Sequence, residues 1–179
     1  MIYKLVKSKV IFVGSFVDKS SSGHTGGQLF ACNSLLNSKL SKYINWIPID
    51  TTAANNIHVP FYLRLLNATY RFLKFIFYLI IKRPIGVIIF SSSGFSFIEK
   101  GFMIILSYPF TKFRIFAPRS GYIKDQIDNN YFFEKYCKIV FNLSTGVICQ
   151  GETWKRYFEN KKLVNSSKLI VINNWIKEL

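Results

Sequence analysis

The chain has 179 residues, half of them apolar and 17% aromatic, a composition that excludes a disordered chain and allows one domain with a buried core. Lysine and arginine outnumber aspartate and glutamate by 24 to 9, so the formal charge is +15. Such a charge indicates nucleic acid, an anionic membrane surface or phosphate-bearing small molecules as partners.

The position of the positive charge favours the membrane surface. Between Thr51 and Lys124, ten basic residues accompany a single acid, Glu99, and the bases lie among long aliphatic and aromatic runs. Basic charge beside apolar surface suits a membrane interface. A nucleic-acid arm is usually polar, and no recognition motif accompanies the charge, so we expect no nucleic-acid partner. A solvated basic face without a specific partner is the alternative.

The cysteines and the N-terminus indicate a cytoplasmic protein. Cys32, Cys137 and Cys149 are widely spaced and odd in number, which fits neither a disulfide framework nor a metal site. The first apolar run is only VIFV and no small-residue cleavage site follows it, so no signal peptide is predicted. The stretch FIFYLII is too short to cross a bilayer. We therefore expect a cytoplasmic location, with peripheral contact to the inner face of the membrane.

Short apolar runs alternate with helical patterns along the chain. The first strand is predicted at KVIFVG (9–14), and the first helix begins at a capping box of Thr25 and Gln28. A second strand, NWIPID (45–50), precedes a long helix that opens at Pro60 and ends at Pro84. This helix is predicted to carry an apolar face, with Phe61, Leu65, Ala68, Phe72, Ile76 and Leu79, and a basic stripe, with Arg64, Arg71, Lys74 and Lys82.

Four further strands are predicted at GVIIF (86–90), KFRIFA (112–117), GVICQ (146–150) and KLIVIN (168–173). Between them lie a buried helix that starts at a capping box of Ser96 and Glu99, a helix at about 129–141, and a short helix at 152–161. This alternation predicts an α/β fold, a Rossmann-like, doubly wound parallel sheet in a single domain over residues 1–172. Residues 173–179 look like the start of a linker.

Ligands of open parallel sheets bind beyond the carboxyl ends of the strands, so the candidate site residues follow the predicted strands. After the first strand, Gly26 and Gly27 let backbone amides approach a phosphate at a helix N-terminus. His24 is a candidate for contact with a phosphate or an acceptor hydroxyl. The spacing is neither GxGxxG nor a Walker loop, and a tight turn with a solvated histidine is the alternative.

A second group of candidates follows the fourth and fifth strands. Arg119 offers a planar fork for a phosphate, Gly121 lets the chain turn beside it, and Lys124 adds a positive charge. A surface arginine after a strand is the alternative. Glu152 follows the fifth strand, where its carboxylate either accepts a hydrogen bond from a sugar hydroxyl or stabilises a helix N-terminus. No Ser/His/Asp or Cys/His set is evident, so no catalytic residue is assigned.

Four segments resemble the N-terminal domain of the GT-B glycosyltransferases of family 4, the large retaining group that builds bacterial surface polysaccharides. They are VIFVGSF with HTGGQLFACNSLL, FAPRSGYIKD, GVICQGETWKRYFENK and LIVINNWIKEL. The second segment resembles the family's Pro-Arg-Gly element with Ser120 inserted. The last resembles the crossing into a second domain, with Asn173 in place of the usual proline and Trp175 in place of the glycine.

The resemblance implies transfer of a sugar from a nucleotide-sugar donor to a lipid-linked or saccharide acceptor in surface-polysaccharide biosynthesis, without a metal or other cofactor. By position, Gly26 and Gly27 would face the donor pyrophosphate. Arg119 and Gly121 would line the acceptor side, and Glu152 would lie near the cleft. Many members carry a histidine after the fourth strand, which this chain does not have.

The resemblance also implies a second, donor-binding domain, which is absent from this chain. A site formed between two domains cannot preorganise with one of them missing, so we expect little or no transferase activity from the chain alone and a complementary C-terminal domain as its partner. The alternative is a non-catalytic basic domain that binds the membrane periphery through Arg64, Arg71, Lys74 and Lys82. The sequence leaves open whether the chain is an enzyme.

Overall fold

A computed structural model describes residues 7–17, 27–52 and 60–173 of the chain. Six strands form one sheet in these ranges, built mainly from the short apolar runs that suit strands buried on both faces. The strands are β1 (Ser8–Gly14), β2 (Ile44–Asp50), β3 (Gly86–Ser91), β4 (Phe113–Pro118), β5 (Gly146–Cys149) and β6 (Leu169–Val171).

Helices connect the strands within the described ranges. They are α1 (Gly27–Leu36), α2 (Phe61–Lys82), α3 (Phe95–Ser107), α4 (Tyr122–Asn129), α5 (Tyr131–Leu143) and α6 (Glu152–Asn160), with 3₁₀ turns at Lys39–Lys42 and Ser166–Lys168. The carbonyl of Pro60 accepts hydrogen bonds from the amides of Leu63 and Arg64. The proline therefore stands at the opening of α2, where its missing amide costs no hydrogen bond.

All neighbouring strands run parallel, in the order β2-β1-β3-β4-β5-β6. The connection from β1 to β2 runs towards one edge of the sheet, and every later connection runs towards the other. Right-handed crossovers therefore put α1 on one face and α2 to α6 on the opposite face. This arrangement confirms the predicted α/β, Rossmann-like, doubly wound sheet in a single domain.

The core lies on both faces of the sheet. On one face the larger cluster joins the strands to side chains of α2, α3 and α5, among them Phe75, Phe97 and Phe141. On the other face Cys32 of α1 packs in a smaller cluster with Phe12 and Phe90. Both faces of the central strands β1 and β3 are covered, so a ligand has to reach the sheet at the strand ends.

The capping box predicted from Ser96 and Glu99 is wrong. α3 begins at Phe95 after Gly94, and no side chain caps it. The Glu99 carboxylate instead accepts two hydrogen bonds from Arg71 of α2, each 2.9 Å long, and the Ser96 hydroxyl accepts one from Lys100. A charge-assisted pair with a neighbouring helix replaced the local bond that the spacing favoured.

The structure also contains a helix that the sequence did not predict. α4 begins directly after Gly121 and precedes the predicted helix at about 129–141, which the structure places at Tyr131–Leu143. Only Ile123 and Ile127 of α4 are buried. One apolar pair over eight residues is too weak a pattern to indicate a helix. The predicted capping box at the start of α1 includes Thr25, which lies outside the described residues.

Candidate ligand-binding site

The strand order reverses between β1 and β3. β1 pairs with β2 on one side and with β3 on the other, and α1 and α3 leave these strands on opposite faces. In open α/β sheets such a switch point leaves a crevice beyond the carboxyl ends of the strands, where ligands bind. Because the strands are parallel, the residues that follow β1, β3 and β4 meet at this end of the sheet, which we call the switch-point edge.

Gly27 lies at the switch-point edge as the first residue of α1. A Cβ at this position would meet no atom within 4 Å in the described part of the chain. The first backbone amides of a helix have no partner within the helix and are able to hold an anion. Gly26 and His24, the other candidates in this loop, lie outside the described residues.

Arg119 lies at the same edge, directly after β4. Its amide donates a hydrogen bond of 2.7 Å to the carbonyl of Ser91 and so extends the pairing of β3 and β4 beyond the strands. Its guanidinium carbon lies 5.6 Å from the centre of the Phe90 ring. Burial lowers the pKa of this guanidinium from its ordinary value, yet an arginine stays charged in proteins. A positive charge is therefore fixed beside the crevice.

The other candidates on the acceptor side have local roles in the helices. Gly121 precedes α4 with φ −57, and a Cβ there would meet no described atom within 4 Å, so packing does not require a glycine. The ammonium of Lys124 lies 4.7 Å from the ring of Trp154 and 5.2 Å from that of Tyr157. Glu152 is the exposed first residue of α6, where the helix dipole favours an acid. That these residues take part in acceptor binding remains a prediction.

Polar contacts join the ends of β1 and β2 at this edge. The carboxylate of Asp50 accepts hydrogen bonds from the amide of Phe16 at 2.9 Å and from the hydroxyl of Thr52 at 2.6 Å. Cys32 of α1 packs against the end of β1, because a Cβ on Gly14 would lie 2.5 Å from its sulfur. Burial raises the pKa of the Cys32 thiol to about 12, against the lowering effect of nearby positive charges.

Lys100 is the candidate that the sequence analysis missed. It lies on α3 and is only 4% exposed. Its ammonium donates a hydrogen bond of 2.6 Å to the hydroxyl of Ser96, in the first turn of the helix. Burial lowers the pKa of Lys100 to about 8. Lys100 and Arg119 are the two positive charges that act on Cys32. A charged pair inside an otherwise apolar helix, Glu99 and Lys100, was the available sequence signal.

An open pocket of about 630 Å³ lies beside the switch-point edge, between the loop after β3 and the helices that follow β4. Its lining consists of Ser93, Tyr122, Asp125, Gln126, Asn129, Asn130 and Phe133. Gln126 Oε1 accepts a hydrogen bond of 2.9 Å from the amide of Gly94, which links α4 to this loop. Carboxylate and amide groups beside aromatic rings offer both hydrogen bonds and apolar contact to a small polar ligand.

α2 presents to solvent an apolar stripe that the sequence analysis did not identify, and Phe61 and Leu65 of the predicted apolar face are also exposed. The residues that pack on the sheet include Ala68, Phe75 and Leu79. On another side of the helix Tyr62, Leu66, Tyr70, Leu73, Phe77 and Ile80 recur every three or four positions, each at least 53% exposed. We call these six residues the outer stripe. None of the helices in the described ranges is long and apolar enough to cross a membrane.

The predicted basic stripe of α2 divides into two environments. Arg64 and Lys82 are exposed and Lys74 is half-buried. Arg71 instead faces α3, where its Nε and Nη2 atoms donate to the Glu99 carboxylate. The charges that α2 offers to a partner are therefore Arg64, Lys74 and Lys82.

The described residues contain no group of three or more His, Cys, Asp or Glu side chains that could hold a metal ion. Cys32, Cys137 and Cys149 are buried free thiols. Burial raises the pKa of each thiol, that of Cys149 to about 11. A neutral, buried thiol is a poor nucleophile and a poor metal ligand, so these cysteines serve packing.

No protein-family model and no curated protein matches the sequence. Among solved structures, the chain is similar to Anabaena Alr3699/HepE in complex with UDP and glucose, with 11% identity and a TM-score of 0.46. It is also similar to Alr3699/HepE in complex with UDP-glucose, with 12% identity and the same TM-score. The match covers 94% of this chain and 45% and 44% of those two chains. This chain therefore spans less than half the length of the structures it matches.

Proposed function

We propose that this chain is the acceptor-side domain of a glycosyltransferase that uses a nucleotide-sugar donor. The observation that carries the proposal is that the N-terminus of α1 at Gly27 and Arg119, which follows β4, lie at the same switch-point edge, where each is able to bind an anion. A nucleotide sugar carries a diphosphate, which such features bind. Two of the four segments that carry the resemblance to the family 4 glycosyltransferases contain these residues.

In this proposal the donor and the acceptor bind at different parts of the switch-point edge. Gly26 and Gly27 approach the donor diphosphate through their backbone amides, and Arg119 lies between donor and acceptor. The acceptor, a saccharide or a lipid-linked saccharide of a surface polysaccharide, enters the pocket between the β3 loop and α4 and extends from there to Gly121, Lys124 and Glu152. His24, which lies outside the described residues, remains a predicted acceptor contact. A complementary C-terminal domain holds the nucleotide, so the chain alone has little or no transferase activity.

The chemical contribution of this domain is electrostatic. Departure of the sugar from its nucleotide leaves negative charge on the diphosphate, and positive groups held near that charge lower the barrier. The helix N-terminus at Gly27 and the guanidinium of Arg119 supply such groups without a metal ion. The proposal includes retention of the anomeric configuration only because the family that the chain resembles is a retaining one.

Binding of UDP-glucose to the purified chain tests this function. We expect saturation-transfer NMR to detect binding and the affinity to fall about tenfold in Arg119→Met, because a charge-assisted hydrogen bond contributes roughly 1.5–3 kcal/mol. Gly27→Ala should weaken binding similarly, since its methyl group would hinder the approach of a diphosphate to the first amides of α1. Arg156→Met, which removes an exposed arginine from α6, is the charge-matched control and should bind normally. Equal affinity of the parent and the three variants for UDP-glucose would contradict the proposal.

A second function, peripheral binding to an anionic membrane surface, is favoured by one specific observation. The outer stripe of α2 exposes six large apolar side chains on a helix that contains no acidic residue. Arg64, Lys74 and Lys82 lie on the same helix. An apolar stripe flanked by basic residues is typical of helices that lie in the membrane interface. A glycosyltransferase with a lipid-linked acceptor would need such a surface.

Co-sedimentation with vesicles tests the membrane proposal. The chain should pellet with vesicles of phosphatidylglycerol and remain in the supernatant with phosphatidylcholine, because basic residues are attracted to anionic headgroups. Replacing Leu73 and Phe77 of the outer stripe by serine should abolish pelleting. Leu40→Ser, which changes a leucine that is 49% exposed elsewhere on the surface, is the matched control. Equal pelleting of both variants would exclude α2 as the contact.

A further inference from the structure

Lys100 has a buried charge that the described structure does not balance. Its ammonium has three N–H donors, and the Ser96 hydroxyl is the only acceptor that it reaches among the described residues. The nearest acid along the helix, Glu99, is already bound by two nitrogens of Arg71. An ammonium in a buried position is costly unless a counter-charge and hydrogen bonds compensate it. The arrangement is therefore suited to an anion that enters from outside.

The place of this ammonium in the fold identifies where the anion would lie. Ser96 belongs to the first turn of α3, and its carbonyl lies 3.4 Å from the hydroxyl of Ser91 at the end of β3. The partner of Lys100 is therefore at the switch-point edge, one strand away from Arg119. Lys100 lies on the face of the sheet that α3 covers, whereas Arg119 lies over Phe90 on the face that α1 covers.

We infer that Lys100 and Arg119 together bind the phosphoryl oxygens of a diphosphate at the end of β3, with Lys100 as the buried counter-charge. A diphosphate carries enough charge and enough acceptor oxygens to occupy both groups at once. The site itself follows from the contacts of α3 and β3. The choice of a diphosphate as the ligand rests on the proposed function, in which it comes either from the nucleotide sugar or from a lipid-linked acceptor.

The charge of Lys100 also makes the site sensitive to pH. The groups that act on it are Glu99 of α3, Arg71 of α2 and Cys32 of α1. Glu99 and Arg71 are held in their mutual ion pair, and the pKa of Cys32, about 12, keeps that thiol neutral. Lys100, with a pKa lowered to about 8, is therefore the member of this cluster that changes charge between pH 7 and 9.5.

Calorimetric titration of the full chain with UDP, geranyl diphosphate and inorganic pyrophosphate at pH 7 tests the inference. Lys100→Met should weaken binding of the diphosphates at least tenfold. Lys112→Met, which removes an exposed lysine before β4 at the opposite end of the sheet, should bind as the parent does. If UDP responds to Lys100→Met, the diphosphate site belongs to the donor, and if only geranyl diphosphate responds, it belongs to the acceptor.

A second measurement does not depend on the folding of the Lys100 variant. The affinity of the parent chain for UDP should fall at least fivefold from pH 7 to 9.5, because Lys100 loses its charge while the terminal phosphate, with a pKa of about 6, keeps its own. Unchanged affinity over this range, equal affinity of Lys100→Met and parent, or no binding of any diphosphate would overturn the inference.

The outcomes separate this inference from the proposed function. UDP-glucose binding that depends on Arg119 but not on Lys100 would leave the proposed function standing and remove the inference. Pyrophosphate binding that depends on Lys100 and Arg119, in a chain that does not bind UDP-glucose, would support the anion site and remove the proposed function.

Discussion

The titration of Lys100 should change the stability of the fold with pH, and this change is measurable without any ligand. Its pKa is about 8 in the folded chain and 10.5 when unperturbed, so between these values the unfolded chain binds more protons than the folded one. Stability from this group therefore rises with pH across this window. We expect the free energy of unfolding of the parent, relative to Lys100→Met, to increase by on the order of 3 kcal/mol from pH 8 to 10.5.

Urea unfolding of the two proteins at matched pH values measures this difference, in which the other titrating groups cancel. Lys112→Met serves as the control, because it removes a lysine that is exposed. A constant difference for Lys100→Met would mean that the ammonium is solvated in the folded chain. The inferred diphosphate site would then lose its buried counter-charge.

At the scale of elements, the ion pair of Arg71 and Glu99 holds α2 against α3. The two side chains are 23% and 7% exposed. Breaking a pair in which one charge stays buried costs more than removing both charges. We expect Arg71→Met to lower the free energy of unfolding by about 3 kcal/mol and the double variant with Glu99→Met to recover most of the loss. Urea unfolding of both single variants and the double variant completes the cycle.

Arg156→Met is the matched control for this cycle and should lie within about 0.5 kcal/mol of the parent, as surface substitutions do. A loss in Arg71→Met that equals the loss in the double variant would show that packing, not the buried carboxylate, holds the two helices together.

Gly101 sets the approach of α3 to α5. A Cβ at this position would collide with the hydroxyl of Tyr136 and lie 2.8 Å from Cγ2 of Val140. The tyrosine is held by the hydrogen bond that its hydroxyl donates to the carbonyl of Ile98 at 2.6 Å. Overpacking costs about 1–3 kcal/mol and alanine regains about 1 kcal/mol of helix propensity, so Gly101→Ala should lose up to about 2 kcal/mol.

Thermal unfolding compares this variant with Gly121→Ala, in which the new methyl group meets no described atom within 4 Å. Gly121→Ala should unfold at the parent temperature or slightly above it, whereas Gly101→Ala should unfold several degrees below it. Equal unfolding temperatures for the two variants would mean that α5 shifts away without cost.

The strands and the edge that carries the site were predictable from sequence, whereas the side-chain partners were not. KVIFVG and GVIIF are short apolar runs whose burial allows little but a central parallel strand. In such a sheet Gly27 and Arg119 must share one end. The partner of Glu99 depended on which side of α2 faces α3, and local spacing does not contain that information. For the same reason, the burial of the Lys100 charge could not be predicted from the sequence.

Across the whole molecule, the switch-point edge and the outer stripe of α2 are separate surfaces. The edge contains charges fixed by burial and by strand pairing, whereas the stripe contains apolar side chains left without a partner in the described structure. Binding of a diphosphate and binding of vesicles should therefore respond to different substitutions. In the proposed enzyme, the stripe would hold the domain at the membrane while the edge remains open to the aqueous donor.

The three buried thiols should contribute to a loss of stability of the whole fold in alkali. Their pKa values are raised above the ordinary 9.0, so above pH 9 the unfolded chain loses protons that the folded chain retains, and stability falls. Lys100 acts in the opposite direction between pH 8 and 10.5. Near pH 10 the three thiols outweigh the one ammonium, and burial also raises the pKa values of Tyr136 and Tyr157, so stability should fall as the pH rises.

Urea unfolding under reducing conditions from pH 7 to 10.5 measures this slope. Stability should be nearly constant from pH 7 to 8.5 and decline steeply beyond pH 9. Cys137→Ala should be less stable than the parent at pH 7, because it leaves a small cavity, but should decline less steeply, because one ionising thiol has been removed from the unfolded chain. Parallel curves for parent and variant above pH 9 would mean that Cys137 ionises in the folded state, which the packing of α5 against the sheet should prevent.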